Sequence, residues 1–357
     1  MITDIKPIVP GTAPSSAAPL IIAGPCSAES AAQVDTAARL LSGCGISVFR
    51  AGVWKPRTRP GGFEGIGRPA LEWIVEAGRR YDMLTATEAA TPAHVHMALE
   101  AGIDILWIGG RTTANPFAVQ EIADALGAVN TDVPVLVKNP VSPDLELWIG
   151  ALMRLYGAGI RRLGAVHRGF STYGHGPYRN TPHWSIPFEL RRRVPALPVI
   201  CDPSHISGRA DLVPDVAVKA IEMGFDGLMI ESHPTPQCAL SDAAQQLTPD
   251  SLAALLRSLP HHSAPSQNAE LEEFRRQIDA IDDELLEVVA RRMAVSAEIG
   301  RLKARHSMAV VQPDRYNTLI ERRTAQGAEL GLSPECTRRI FSALHEESVR
   351  RQLTKNN

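Results

Sequence analysis

The sequence has no C-x-x-C pair, and its five cysteines are an odd number, which fits reduced thiols rather than a disulfide framework. No stretch approaches about 18 consecutive apolar residues, so no transmembrane helix is expected. There is almost no charge imbalance. Lys+Arg 37 against Asp+Glu 39 leaves a formal net charge of -2, and global charge favours neither a nucleic-acid nor a membrane-surface partner. Residues 1–20 lack the charged-then-apolar layout of a signal peptide, and a cytoplasmic location is expected. What is present is an ordinary globular composition, 44% hydrophobic and 21% charged, over 357 residues. That supports a large core, excludes wholesale disorder, collagen and a disulfide miniprotein, and is too long for one small domain.

The charge is unevenly spread. Residues 269–357 hold 15 basic and 15 acidic residues, against 22 and 24 in the first 268, so the charged fraction about doubles. Between the two regimes lies a stretch of Pro, Ser, His and Asn with no apolar period, which reads as a linker. The expected organisation is a lead-in at 1–17, a first domain at 18–260, a linker at 261–268 and an all-helical domain at 269–357.

In the first domain, short apolar runs near 20–23, 46–50, 83–86, 103–108, 133–138, 160–166, 198–201 and 227–230 alternate with helical segments. Eight such units imply a parallel sheet with helices outside, closed as a (β/α)8 TIM barrel (α/β class), with a doubly wound open sheet as the competing arrangement. Each run is followed by polar or ionisable residues, and chemistry gathers at the C-terminal strand ends of such a barrel. The rim residues sort into two sets. Arg50, Lys55, Arg57, Arg111, Lys138 and Arg168 are cations that would repel one another without anionic guests, and arginine forks fit phosphates and carboxylates. Cys26, His205, Glu231 and Asp242 offer thiolate, imidazole and carboxylates to a divalent transition metal.

The motifs Gly24-Pro25-Cys26-Ser27, Lys55-Pro56-Arg57-Thr58, Gly110-Arg111-Thr112-Thr113, Asp202-Pro203-Ser204-His205 with Ser207-Gly208-Arg209, and Ile230-Glu231-Ser232-His233 closely resemble 3-deoxy-D-arabino-heptulosonate 7-phosphate (DAHP) synthase of the compact type I beta form. The resemblance covers about residues 18–258. It implies condensation of phosphoenolpyruvate with erythrose 4-phosphate and water, with loss of phosphate. It further implies Cys26, His205, Glu231 and Asp242 as ligands of a divalent metal, manganese foremost, with iron, cobalt or zinc also suited to the set. By the same resemblance Arg111, Lys138 and Arg168 take the phosphoenolpyruvate phosphate, and Arg50 and Lys55 lie near its carboxylate and reacting end. Arg57 and Thr58 take erythrose 4-phosphate, and Lys55 or a water on the metal gives a proton to the new alkoxide. The metal would act as a Lewis acid on the aldehyde, and the cations would hold two polyanions together. A 3-deoxy-octulosonate 8-phosphate synthase has a related barrel and start, but the Lys55-Pro56-Arg57-Thr58 segment favours the first reading.

In residues 269–305 apolar side chains recur at helical spacing without a proline, which predicts a helix of roughly 55 Å. One small domain cannot cover such a stripe, so a partner helix is implied. Pro313 and Pro334 suit the first turns of two further helices, with Ser333 as an N-cap. Three helices per chain imply an intertwined homodimer through the C-terminal helices, and whether dimers pair into tetramers stays open. The residues Phe274-Arg275-Arg276-Gln277-Ile278-Asp279, Ala290-Arg291-Arg292, Ile299-Gly300 with Lys303, Asp314-Arg315, and Ser348 with Gln352 resemble the all-helical (AroQ-type) chorismate mutase over about 269–353. The resemblance implies Arg292, Arg315 and a neighbouring chain's Arg275 on the carboxylates of chorismate. Lys303 and Gln352 would meet the ether oxygen, and Ser348 a carboxylate. The rearrangement to prephenate is unimolecular and needs no metal or cofactor. Gln312 and Tyr316 depart from the family pattern where it meets the ring hydroxyl, and a non-catalytic sensor or dimerisation domain is the rival reading. Joining the two units implies feedback on the synthase by prephenate or chorismate. Cys44, Cys201 and Cys336 are expected to pack in cores.

Overall fold

The computed structural model describes residues 2–9, 18–55, 61–129, 131–172, 176–260, 269–311 and 313–353. The chain divides into two compact units, Met1–Ala264 and Pro265–Asn357.

The first unit is a closed barrel of eight parallel strands in sequential order. They are β1 (Leu20–Gly24), β2 (Val48–Arg50), β3 (Leu84–Glu88), β4 (Ile105–Ile108), β5 (Val135–Lys138), β6 (Leu163–His167), β7 (Val199–Cys201) and β8 (Gly227–Glu231). Pairing of β1 with β8 closes the sheet, Leu20 lying opposite Gly227 and Gly24 opposite Glu231. A long helix follows each strand: α1 (Ala31–Ser42), α2 (Arg68–Arg80), α3 (Pro92–Ala101), α4 (Pro116–Val129), α5 (Leu145–Gly157), α6 (Ser185–Arg193), α7 (Val213–Glu222) and α8 (Pro249–Ser258). Local chemistry sets their starts. Ser30, Thr91, Asp144 and Thr248 each accept a backbone N–H from three residues on, and prolines occupy the first turns of α2, α3 and α8.

Alternation along the strands makes two cores. Ile22, Val48, Ala86, Ile105, Trp107, Leu136, Val166, Ile200 and Met229 fill the barrel interior, and a larger set lies between sheet and helices. The interior set also contains Ile8, from the segment expected to be a lead-in. A Cβ at Gly164 would lie 2.6 Å from Ile8 Cδ1, so β6 leaves room for that plug. The Lys6 N–H donates to the Arg161 carbonyl and Arg162 to the Pro7 carbonyl, so residues 2–9 belong to the barrel unit.

The second unit holds α9 (Ala269–Arg305), α10 (Pro313–Glu329) and α11 (Pro334–Leu353), with Ser333 Oγ accepting the Cys336 N–H at 3.1 Å. Its helices pack α9 on α11 and α10 on α11. Phe274, Ile278, Ile281, Leu285 and Val288 of α9 remain about half exposed or more. Cys201 is buried as expected and Cys44 partly so. Cys336 corrects the expectation: it is exposed, because it occupies the outward side of the first turn of α11.

Candidate active site

Strand ends and the loops after them carry the chemistry. Cys26 follows β1, Arg50 ends β2, Lys138 ends β5, Arg168 follows β6, and Glu231 ends β8. His205 sits in a short helical turn, Pro203–Ser207, after β7. Asp242 lies further on in a left-handed backbone conformation, φ 46°. Gly24 lets β1 run close to β2, since a Cβ there would sit 2.0 Å from the Arg50 carbonyl oxygen.

Sulfur and carboxylate oxygens of Cys26, Glu231 and Asp242 gather within 4.8 Å of one another. His205 Nε2 lies 3.9 Å from Glu231 Oε1, beside that group. Glu231 is fully buried, and among the described residues its Oε1 has no hydrogen-bond partner and faces only the Arg50 charge at 3.3 Å and His205. A buried carboxylate oxygen left open beside a thiol, an imidazole and a second carboxylate is the donor set of a transition-metal site, so these residues fit a divalent cation.

Charges around the cluster are arranged tightly. Lys55 Nζ donates to Cys26 Sγ at 2.9 Å. Arg50, 1% exposed, pairs with Glu231 at 3.3 Å and stacks 4.6 Å over the Trp107 ring. Burial pushes the Cys26 thiol up to about 12, and the Glu231 charge adds to the rise. Burial opposes ionisation of Asp242, but the Arg179, His205 and Lys55 charges hold it at about 2. Burial alone would lower Lys55; the charges of Cys26 and Glu231 outweigh it and keep the ammonium above its usual value.

Beside the cluster opens a cavity of about 260 Å³ lined by Lys55, Arg111, Lys138, Arg168 and Arg179, with Glu88, His205 and Asp242 on its wall. Burial brings Arg168 down to about 10, with Asp202 opposing and Arg179 and Arg111 adding to the fall. Cations crowded to that degree call for a polyanion. The structure thus brings Cys26, Arg50, Lys55, Lys138, Arg168, His205, Glu231, Asp242 and Arg111 to one mouth. Arg57 and Thr58 lie outside the described residues.

Sequence reading missed Arg179 and Gln245. Arg179 donates to Asp242 Oδ1 at 3.2 Å and to Gln245 Oε1 at 2.7 Å, and Gln245 Nε2 donates to Glu231 Oε2 at 2.8 Å. One loop arginine therefore braces two carboxylates of the cluster. An Arg179-Asn180 pair in the loop after β6 was the available signal.

The helical unit has its own polar centre. Arg292 donates to Ser348 Oγ at 2.6 Å and to the Leu344 carbonyl at 2.9 Å, and Ser296 Oγ donates to Ser348 Oγ at 3.1 Å. Lys303 Nζ donates to the Val310 carbonyl at 2.6 Å. Among the described residues Gln352 Oε1 is buried without a hydrogen-bond partner, and Gly300 makes room for the Gln352 backbone, to which a Cβ would come within 2.8 Å. Burial lowers His345, and the charges of Arg292 and Lys303 lower it further, so these cations flank one spot. Arg275 pairs with Glu272 on its own helix, and both Arg275 and Arg315 are exposed. The Tyr316 hydroxyl is 3.1 Å from Ser342 Oγ and its ring lies 4.5 Å from His345. Gln312 lies outside the described residues.

Fold and mouth define a (β/α)8 barrel with a cluster of thiol and carboxylate donors beside a cation-lined cavity, followed in the chain by a three-helix unit with a second cationic centre. The sequence model of the DAHP synthetase I family matches residues 11–263, and that of chorismate mutase type II matches 274–353. The chain belongs to the DAHP synthetase I family, with a chorismate mutase type II region after the barrel. It is 34% identical over 227 residues to phospho-2-dehydro-3-deoxyheptonate aldolase of Thermotoga maritima, covering 64% of each chain. A crystal structure of that organism's DAHP synthase superimposes with TM-score 0.61 at 32% identity over 68% of each chain. The helical region is 29% identical over 85 residues to 4-amino-4-deoxychorismate mutase of Streptomyces venezuelae, spanning 24% of this chain and 82% of that one. The chain spans just under two thirds of the length of the Thermotoga aldolase.

Proposed function

We propose that the chain is a bifunctional shikimate-pathway enzyme. Its barrel condenses phosphoenolpyruvate, erythrose 4-phosphate and water to DAHP and phosphate. Its helical unit converts chorismate to prephenate. The observation that carries the first half is the cluster of Cys26, Glu231 and Asp242, with His205 beside Glu231, at the wall of a cavity ringed by cations.

Cys26, His205, Glu231 and Asp242 would hold a divalent metal, manganese foremost, which when bound supplies Lewis acidity toward the aldehyde. The chain's own groups do the rest. Arg111, Lys138 and Arg168 grip the phosphate of phosphoenolpyruvate, a weak carbon nucleophile whose value depends on being held facing its partner. Arg50 is fixed by Glu231 and Trp107 and sets a buried positive charge beside the carboxylate of the cluster. Lys55 stays protonated beside the cluster and is placed to give a proton to the alkoxide that forms on the aldehyde carbon. Arg57 and Thr58 are assigned to the phosphate of erythrose 4-phosphate.

In the helical unit the reaction needs only the reactive conformer and positive charge at the breaking ether bond. Arg292 and Arg315, with Arg275 of a neighbouring copy, hold the carboxylates. Ser348 orders Arg292, and Lys303 and the open Gln352 Oε1-bearing amide face the ether oxygen. The half-exposed apolar stripe of α9 supports a homodimer through these helices. A cytoplasmic location and feedback by prephenate or chorismate on the barrel complete the reading. A second reading, a helical sensor without turnover, draws support from Tyr316, whose hydroxyl is already engaged with Ser342.

The test of the barrel assignment is phosphate release from phosphoenolpyruvate, measured with erythrose 4-phosphate and with arabinose 5-phosphate in the presence of Mn2+. Release with the four-carbon sugar alone is expected; release only with the pentose would make the chain an octulosonate-type synthase.

A further inference from the structure

Asp202 caps the rim turn Pro203–Ser207 and is fully buried. Its Oδ1 accepts the His205 backbone N–H at 3.0 Å. Its Oδ2 accepts Lys138 Nζ at 2.6 Å, and the same oxygen lies 2.8 Å from His205 Nδ1. That second approach is not aligned as a hydrogen bond, and among the described residues the buried Nδ1 has no other partner. One carboxylate oxygen is therefore claimed by two groups that serve different ends. Lys138 lines the cavity with Arg111 and Arg168. His205 turns its Nε2 toward Glu231 in the metal cluster.

We propose that Asp202 is a positioning residue that couples polyanion binding at Lys138 to cation binding at His205, because the two compete for its Oδ2. The inference rests on reading the mouth as a phosphoenolpyruvate and metal site. A phosphate in the cavity draws the Lys138 ammonium off Asp202. The freed Oδ2 then aligns with the His205 Nδ1–H. An imidazole whose second nitrogen donates to a carboxylate is held in one orientation and is a better metal ligand. Phosphoenolpyruvate thereby tightens the metal, and by linkage the metal tightens phosphoenolpyruvate by the same factor. A cluster assembled in this way is complete only when the nucleophile is in place.

The experiment measures binding without turnover. Free Mn2+ is followed by electron paramagnetic resonance while the full chain is titrated, with and without saturating phosphoenolpyruvate. The wild type is expected to bind Mn2+ roughly tenfold more tightly when phosphoenolpyruvate is present. Asp202→Asn is expected to match the wild type within about threefold without phosphoenolpyruvate, to bind Mn2+ roughly tenfold more weakly than the wild type with it, and so to keep less than about threefold of that linkage. Should Asp202→Asn fail to fold by circular dichroism, Lys138→Met takes its place: its Mn2+ affinity without phosphoenolpyruvate should rise toward the wild type's phosphoenolpyruvate-bound value. A wild-type chain that binds neither ligand overturns the proposed function and the coupling together. Equal linkage in wild type and Asp202→Asn, or unchanged or weaker Mn2+ binding in Lys138→Met, overturns the coupling alone.

Discussion

Replacing Arg50 with methionine keeps most of the volume under Trp107 and removes the charge that faces Glu231. Both partners of that 3.3 Å pair are essentially buried, at 1% and 0% exposure. Breaking a buried pair by removing one member costs about 3–5 kcal/mol; here Glu231 keeps the Gln245 hydrogen bond on Oε2 but loses the charge that faces Oε1. The loss should be seen in EDTA. With Mn2+ added, the cation compensates Glu231 in place of Arg50, and saturation at about 100 times its Kd returns roughly 2.7 kcal/mol. All five tryptophans, Trp54, Trp73, Trp107, Trp148 and Trp184, lie in the barrel unit. Tryptophan fluorescence during urea unfolding therefore follows the barrel and is silent on the helices. With a slope near the upper end of the usual range, about 3 kcal/mol/M, the midpoint in EDTA should fall on the order of 1 M. A fall worth less than about 1 kcal/mol, or a fall that Mn2+ does not reverse, would refute the claim that Glu231 is held charged by Arg50 and open to a cation.

Metal uptake should depend on pH through Cys26. Its thiol, raised to about 12 in the metal-free chain, must lose its proton on ligation, so Mn2+ affinity should rise about tenfold per pH unit between 6.5 and 8.5; an affinity flat across that window would remove Cys26 from the ligand set. Asp242→Asn should weaken Mn2+ binding at least tenfold while circular dichroism is unchanged, since Arg179 and Gln245 still hold the loop. Arg292→Lys, which loses the fork to Ser348 and the Leu344 carbonyl, should reduce chorismate kcat/KM on the order of 100-fold and leave Mn2+ binding to the barrel untouched.

The barrel was legible because its information is periodic and local. Each apolar run ends in a polar cluster, and closure of eight parallel strands places those clusters on one rim without any further assumption. Cys26, Glu231 and Lys138 could be found in this way. Arg179 could not, since it reaches Asp242 from a loop 63 positions away and carries no periodic mark. Ile8 was hidden for a related reason: an Ile8-Val9 pair between prolines looks like a lead-in until the hollow left by Gly164 is known. In the helices, spacing gave the extent of α9. It also gave the stripe that one copy leaves exposed, but not which face of α11 receives Cys336. There the side of the turn is decided by packing, and the residue faces out.

The central claim is that one chain carries two independent chemistries, one that needs a metal and one that does not. A single preparation of the full-length chain, treated with EDTA, tests it directly when DAHP formation and chorismate disappearance are followed in parallel. DAHP formation should stop and return with Mn2+, and chorismate should be converted to prephenate at the same rate throughout. Chorismate loss no faster than the uncatalysed rearrangement, or DAHP formation undiminished by EDTA, would contradict it.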